Sequence, residues 1–113
     1  MKLPNGKNAF VDMRKLRDYC LNPQSPKGRD KARVFASVLG LNRDSCELLQ
    51  DALLHAAATS VCEPGEVDDY GQRYTLRFEL RTEQGIGWIH SGWIIRHGED
   101  TPRLTTCFVM KRR

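Results

Sequence analysis

Between Arg73 and Met110 the chain carries three runs rich in Tyr, Leu, Phe, Trp, Ile and Thr, separated by short glycine-containing turns. The runs are Arg73 to Arg81 (RYTLRFELR), Gly87 to Arg96 (GWIHSGWIIR) and Arg103 to Met110 (RLTTCFVM). Such spacing predicts an antiparallel β-meander. In the first run Tyr74, Leu76, Phe78 and Leu80 alternate with Arg73, Thr75, Arg77, Glu79 and Arg81, so one face of the sheet is apolar and the other is basic. An antiparallel sheet keeps one face on a core and leaves the other in water, which requires a helical layer on the apolar side only.

The segment before the sheet supplies that layer. Asp12 is placed to cap a helix over Met13 to Cys20, ended by Leu21-Asn22-Pro23, because proline cannot continue the ladder. A punctuated polar loop follows (NPQSPKGRD), the kind of exposed connection that often carries function. A second helix starts at Arg29 or Asp30 and runs over Lys31 to Leu39, with Gly40 as its stop. A third, capped by Asn42 or Asp44, runs from Ser45 to about Thr59 with Cys46, Leu49, Ala52, Leu53, Ala56 and Ala57 on its apolar side. Glu63-Pro64-Gly65 closes the helical part. A small edge strand is expected at Ala9 to Val11 or Val61 to Glu63. The expected fold is α+β: N-terminal helices, about 12–60, on one face of a meander of three to four strands, about 73–110.

With 113 residues, 40% of them hydrophobic, the chain is expected to be one domain with its own core. No apolar run approaches the roughly 18 residues of a membrane span, and MKLPNGKN lacks a signal-peptide core. A cytoplasmic protein with no membrane partner is therefore expected. Cys20, Cys46, Cys62 and Cys107 have no metal-ligand spacing and read as buried free thiols.

Charge is unevenly spread. Residues 1–34 hold nine basic and three acidic side chains, residues 35–70 one and seven, and residues 71–113 eight and four. The basic ends can share a surface while the acids sit elsewhere, which makes a polyanion a plausible partner. Lys31 and Arg33 stand at the start of a helix, where cations oppose the dipole at a cost of about 0.3–1 kcal/mol each. Lys111-Arg112-Arg113 reads as a frayed basic tail.

The chain has no Walker loop, GxGxxG, HExxH, GxSxG elbow or two-metal carboxylate cluster, so the chemistry expected is metal-independent and uses no cofactor. Cleavage of RNA through its own 2′-hydroxyl needs a proton acceptor, a proton donor and cations for the phosphorane; histidine and arginine suit these tasks. If Ile89, Trp93 and Ile95 are core, then His90 and Arg96 stand on the basic face near Arg77 and Arg81, with Trp88 as a surface for base stacking. A competing reading makes Arg77, Glu79 and Arg81 simple cross-strand pairs. In the third run neither alternating set is clearly apolar, and Thr105 or Thr106 can line a site.

The motifs KARVFASVLGL, DYGQRY, and WIIR followed by GED and PRLTTC resemble an uncharacterised bacterial domain family of unknown function, from MKLPNG and LRDYCLNP to the last strand. Lys31, Arg33, Arg73, Trp93, Arg96, Arg103 and Thr105 match its pattern. Asp30 departs from it, standing where the family usually has histidine. The layout is also similar to that of barnase, EndoU, colicin-type and RelE-like ribonuclease toxins. The resemblance implies a small metal-independent endoribonuclease with a cognate antitoxin or immunity protein. Candidate catalytic residues are Lys31, Arg33, Arg96 and Thr105, with His90 added on chemical grounds; Arg29, Arg77, Arg81, Trp88 and Arg103 are candidate RNA contacts. Two other readings stay open: a non-catalytic nucleic-acid-binding module, and an interaction protein meeting a basic partner through Glu47, Asp51 and the Asp68-Asp69 loop.

Overall fold

A computed structural model of the protein describes residues 1–111; Arg112 and Arg113 of the basic tail lie outside the described residues. Helices precede a four-stranded antiparallel sheet in the order β1-β2-β3-β4, with β1 over Cys62–Val67, β2 over Gly71–Arg81, β3 over Ile86–Arg96 and β4 over Arg103–Val109. The fold is α+β, as the hydrophobic periodicity predicts. β1 corrects the sequence reading at one point: Glu63-Pro64-Gly65 lies inside an edge strand rather than in a turn that closes the helices. An edge strand tolerates proline because it needs no ladder donor on its outer side, and the pairing with β2 is broken between Pro64 and Val67. The chain at Phe10 adds an isolated parallel bridge to Arg103 on the opposite edge.

The helical layer also differs in detail. The segment starting at Asp12 is one α-helical turn, α1 (Met13–Lys15), which widens into a π-helical turn over Leu16–Cys20. The Asp12 carboxylate caps it by accepting from the Arg14 N–H at 2.9 Å. α2 spans Arg29–Leu39 and ends on Gly40 at φ 67°, the left-handed conformation that glycine adopts without a Cβ penalty. α3 spans Cys46–Thr59, introduced by a 3-10 turn with an Asn42 and Ser45 capping box. Among the described residues no helix is long and apolar enough to cross a membrane.

One hydrophobic core joins the layers. Leu16, Leu21, Phe35, Leu39, Leu49 and Leu53 from the helices meet Leu76, Ile89, Trp93, Leu104, Cys107 and Val109 from the sheet. Full burial of side chains of this size stabilises the fold by roughly 1.5–3 kcal/mol each. Ser91 is a buried polar residue with both needs met: its hydroxyl donates to the Leu76 carbonyl at 2.7 Å and accepts from Trp93 Nε1 at 2.9 Å. All four cysteines are buried free thiols.

The register opposes Arg77 to His90, Leu76 to Ser91 and Tyr74 to Trp93. Ile89 and Trp93 therefore face the core with Leu76 and Phe78, while His90 and Arg96 share the other face with Arg77 and Arg81. Ile95 does not match its expectation: it is half-buried, and Ile94, on the outer face, is buried. Ile94 pairs with Arg103 and lines a recess with Phe10, where the N-terminal chain runs beside that end of the sheet.

Candidate functional site

The pairing of β3 with β4 slips once. Gly92 faces Thr106 but Trp93 faces Leu104, leaving Thr105 as the extra residue of a β-bulge. The bulge inverts the alternation within β4, so Leu104 before it and Cys107 and Val109 after it all reach the core. Neither alternating set of the third run looks apolar because the strand uses part of each. The bulge also sends two adjacent hydroxyls to the outer side. A Cβ at Gly92 would lie 2.8 Å from Thr105 Oγ1 and 3.5 Å from Thr106 Cγ2, so the missing side chain of Gly92 is what leaves room for the Thr105 hydroxyl.

Lys31, in the first turn of α2, reaches this point. Its Nζ donates to Thr106 Oγ1 at 3.1 Å and lies 5.2 Å from the centre of the Tyr19 ring and 5.6 Å from that of Phe108. On the other side of Phe108 its ring stacks on His90, centroids 4.6 Å apart and planes inclined by 15°. Burial first, then the nearby Arg77 and Lys31 charges, pushes the His90 pKa below its ordinary value of 6.5. The shift favours the neutral imidazole, the form that can accept a proton.

Two recesses meet at Asp12, Lys15 and Thr105. The larger, about 730 Å³, runs past Lys27, Tyr19, Lys31 and Thr106. The smaller, about 250 Å³, is bounded by Phe10, Ile94, Arg96, Arg103 and Leu104. Of the described cations that line the recesses, Arg14 and Arg103 are paired with acids and the others are not. Arg14, Arg17, Arg33, Arg43, Arg73, Arg81 and Arg103 each lie within 4.0 Å of a carboxylate oxygen. Among the described residues, no carboxylate pairs with Lys15, Lys27, Lys31 or Arg96, which surround the two recesses. Asp12, the acid on the shared wall, is already held by Arg14 through Nη2 to Oδ2 at 2.9 Å. Those bonds keep its carboxyl below the usual carboxylate range.

Of the residues singled out from the sequence, Lys31, Arg96 and Thr105 come together around the bulge. His90 and Arg77 are neighbours on the same sheet face, across Phe108 from Lys31. Arg33 does not reach this region. Two residues along α2 from Lys31, it projects from the opposite side of the helix, and its side chain is 69% exposed beside Asp30. Asp30 is 88% exposed and likewise outside the recesses. Arg29 is exposed at the start of α2, and Arg81 pairs with Glu79 at 3.5 Å. Trp88 is half-buried opposite Glu79, four residues along β3 from Gly92. Arg103 donates twice to Glu99, which takes it out of the set of available phosphate ligands. Asp68 is also committed, accepting from Arg73 at 2.6 Å and from the Tyr70 and Gly71 N–H groups of the β1-β2 turn.

Phe10, Lys15, Tyr19, Lys27 and Gly92 are not among the site residues named from the sequence, and all five border the recesses or the bulge. Two of them left a signal: Lys27 lies in the punctuated loop, and Gly92 is a glycine inside an otherwise β-branched and aromatic strand. Among the described residues no group of three or more His, Cys, Asp or Glu is arranged to hold a metal ion.

Residues 2–111 match the family model described as "Domain of unknown function (DUF6883)". A comparison with curated proteins gives no match. Among solved structures, one similar chain belongs to a contact-dependent growth inhibition toxin–immunity protein complex from Klebsiella pneumoniae 342. It has a TM-score of 0.68 and 15% sequence identity, over 88% of this chain and 98% of that one. At that identity the likeness is one of fold. With nearly its whole length covered by the family model, the chain belongs to the DUF6883 family of domains of unknown function.

Proposed function

We propose that the recesses around Thr105 bind the phosphate backbone of RNA and that the protein is a metal-independent endoribonuclease of a toxin system, with an immunity or antitoxin protein as its partner. The observation that carries this reading is the convergence of Lys15, Lys27, Lys31 and Arg96, unpaired with acids among the described residues, on the hydroxyls of Thr105 and Thr106. Cations and hydroxyl donors gathered around one strand are a means by which a protein stabilises a pentavalent phosphorus without a metal. Neutral His90 takes the proton from the 2′-hydroxyl. The 2′-oxygen attacks phosphorus as the bond to the 5′-oxygen breaks, and the Lys31 ammonium protonates the leaving oxygen. Thr105, Thr106 and Arg96 hold the non-bridging oxygens. The products are a 2′,3′-cyclic phosphate and a 5′-hydroxyl. The fold likeness to a chain of a toxin–immunity complex supports the toxin setting.

The test is incubation of total RNA and tRNA with purified protein in excess EDTA. Cyclic-phosphate ends are expected, with losses of about 10²–10⁴-fold for Lys31→Ala and His90→Ala. Intact RNA at micromolar protein overturns cleavage. One observation favours a second reading, RNA binding without cleavage: His90 does not line the recesses that hold the cations. Salt-sensitive binding with no products would establish it.

A further inference from the structure

We propose that Phe10 is a base-stacking platform, so that the ligand of the recesses is single-stranded RNA with one unpaired nucleobase laid on the Phe10 ring. The proposal rests on the reading of the recesses as an RNA site and adds to it a subsite and a strand requirement. Phe10 is 48% exposed, so much of its ring is open to a ligand. Its N–H donates to the Pro102 carbonyl at 2.9 Å and its carbonyl accepts from the Leu104 N–H at 3.0 Å, a parallel bridge that fixes the backbone. Arg103 lies over the ring, its guanidinium carbon 5.6 Å from the ring centre. Arg103 is oriented in turn by Glu99, through Nε to Oε1 at 3.2 Å and Nη2 to Oε2 at 3.1 Å. Glu99 and Arg103 thus act as a support behind the ring rather than as a phosphate contact.

The ring bounds the smaller recess beside Ile94 of the outer sheet face, and it also borders a recess of about 620 Å³ that holds Glu99 and Asp100. An aromatic surface beside an apolar wall accepts the flat face of a nucleobase. The smaller recess adjoins the larger at Lys15 and Thr105, with Asp12, already held by Arg14, on the same wall. A phosphate held there sets the neighbouring nucleotide of the same strand at Phe10. A base paired within a duplex is already stacked on both sides and its A-form groove admits no such ring, so double-stranded RNA is excluded from this subsite.

The experiment is fluorescence anisotropy with a labelled 2′-O-methyl oligoribonucleotide, which lacks the attacking proton and cannot be cleaved, offered single-stranded and as a duplex. Wild type, Phe10→Leu and Phe10→Trp are compared, with circular dichroism checking the fold of each. The expected result is tight single-strand binding by wild type, weakened about ten- to a hundredfold in Phe10→Leu and retained in Phe10→Trp, whose added indole emission is quenched by the stacked base. Equal affinity of all three proteins for the single strand, or equal affinity of wild type for duplex and single strand, overturns the platform while leaving the cationic recesses as an RNA site. Absence of any binding by wild type overturns both.

Discussion

His90 shows how a single residue's role depends on what packs beside it. Its ring is stacked on Phe108 and lies near two cations, so the folded chain holds a proton on it less tightly than the unfolded chain does. Stability linked to His90 therefore falls as pH drops below the ordinary value of 6.5 toward the depressed one, and above 6.5 it is unaffected. For cleavage, the acid limb of kcat/KM against pH is expected below 6.5, and Arg77→Ala, which removes one repelling charge, moves that limb upward. A pH–rate profile of the two proteins checks both statements; a limb that stays in place when Arg77 is removed would show that another group titrates. Part of this residue's setting is legible in the sequence, because His90 and Arg77 both fall on the polar positions of their strands. Phe108 and Lys31 beside it come from other elements, and no local pattern announces them.

At the scale of elements, the decisive feature is the bulge in β4. A strand of Thr, Cys, Phe and Val with no clean alternation is ambiguous on its own, and a one-residue slip reverses every side chain. The ladder with β3 resolves it, pairing Gly92 with Thr106 and Trp93 with Leu104 and leaving Thr105 as the extra residue. Gly92→Ala is expected to leave the fold intact but to displace the Thr105 hydroxyl, since the new Cβ would meet it at 2.8 Å. Cleavage, or binding if the protein does not cleave, falls by about tenfold or more, while the urea midpoint changes by less than the equivalent of about 1.5 kcal/mol. Parallel urea melts and assays separate the two effects. The helices were easier to read than β4, because Asp12, Gly40 and the apolar stripe of α3 are local signals that act within one or two turns. The π-helical turn at Leu16–Cys20 has no such signal, and it buries Leu16 and Cys20.

For the molecule as a whole, the charge asymmetry between the ends and the middle becomes a surface once the N-terminal segment lies along β4. Lys15, Lys27 and Lys31 come from the first 34 residues and Arg96 from the third strand, and the fold places them around the same two threonines. If all four meet phosphates, log K for single-stranded RNA should fall with log salt at a slope of about −3, from roughly −0.7 per contact. Arg96→Ala should make the slope shallower by about 0.7, whereas Arg33→Ala should leave it unchanged, because Arg33 is turned to the other side of α2. Affinity titrations at several salt concentrations measure this directly. Periodicity and caps, which depend on neighbours a few residues apart, let the sequence by itself determine the α+β layering, the apolar face of the sheet and the basic character of the other. Which cations remain unpaired, where the bulge falls and that Phe10 stands beside Arg103 were decided only by the tertiary structure, since each depends on residues distant in the chain meeting across β4.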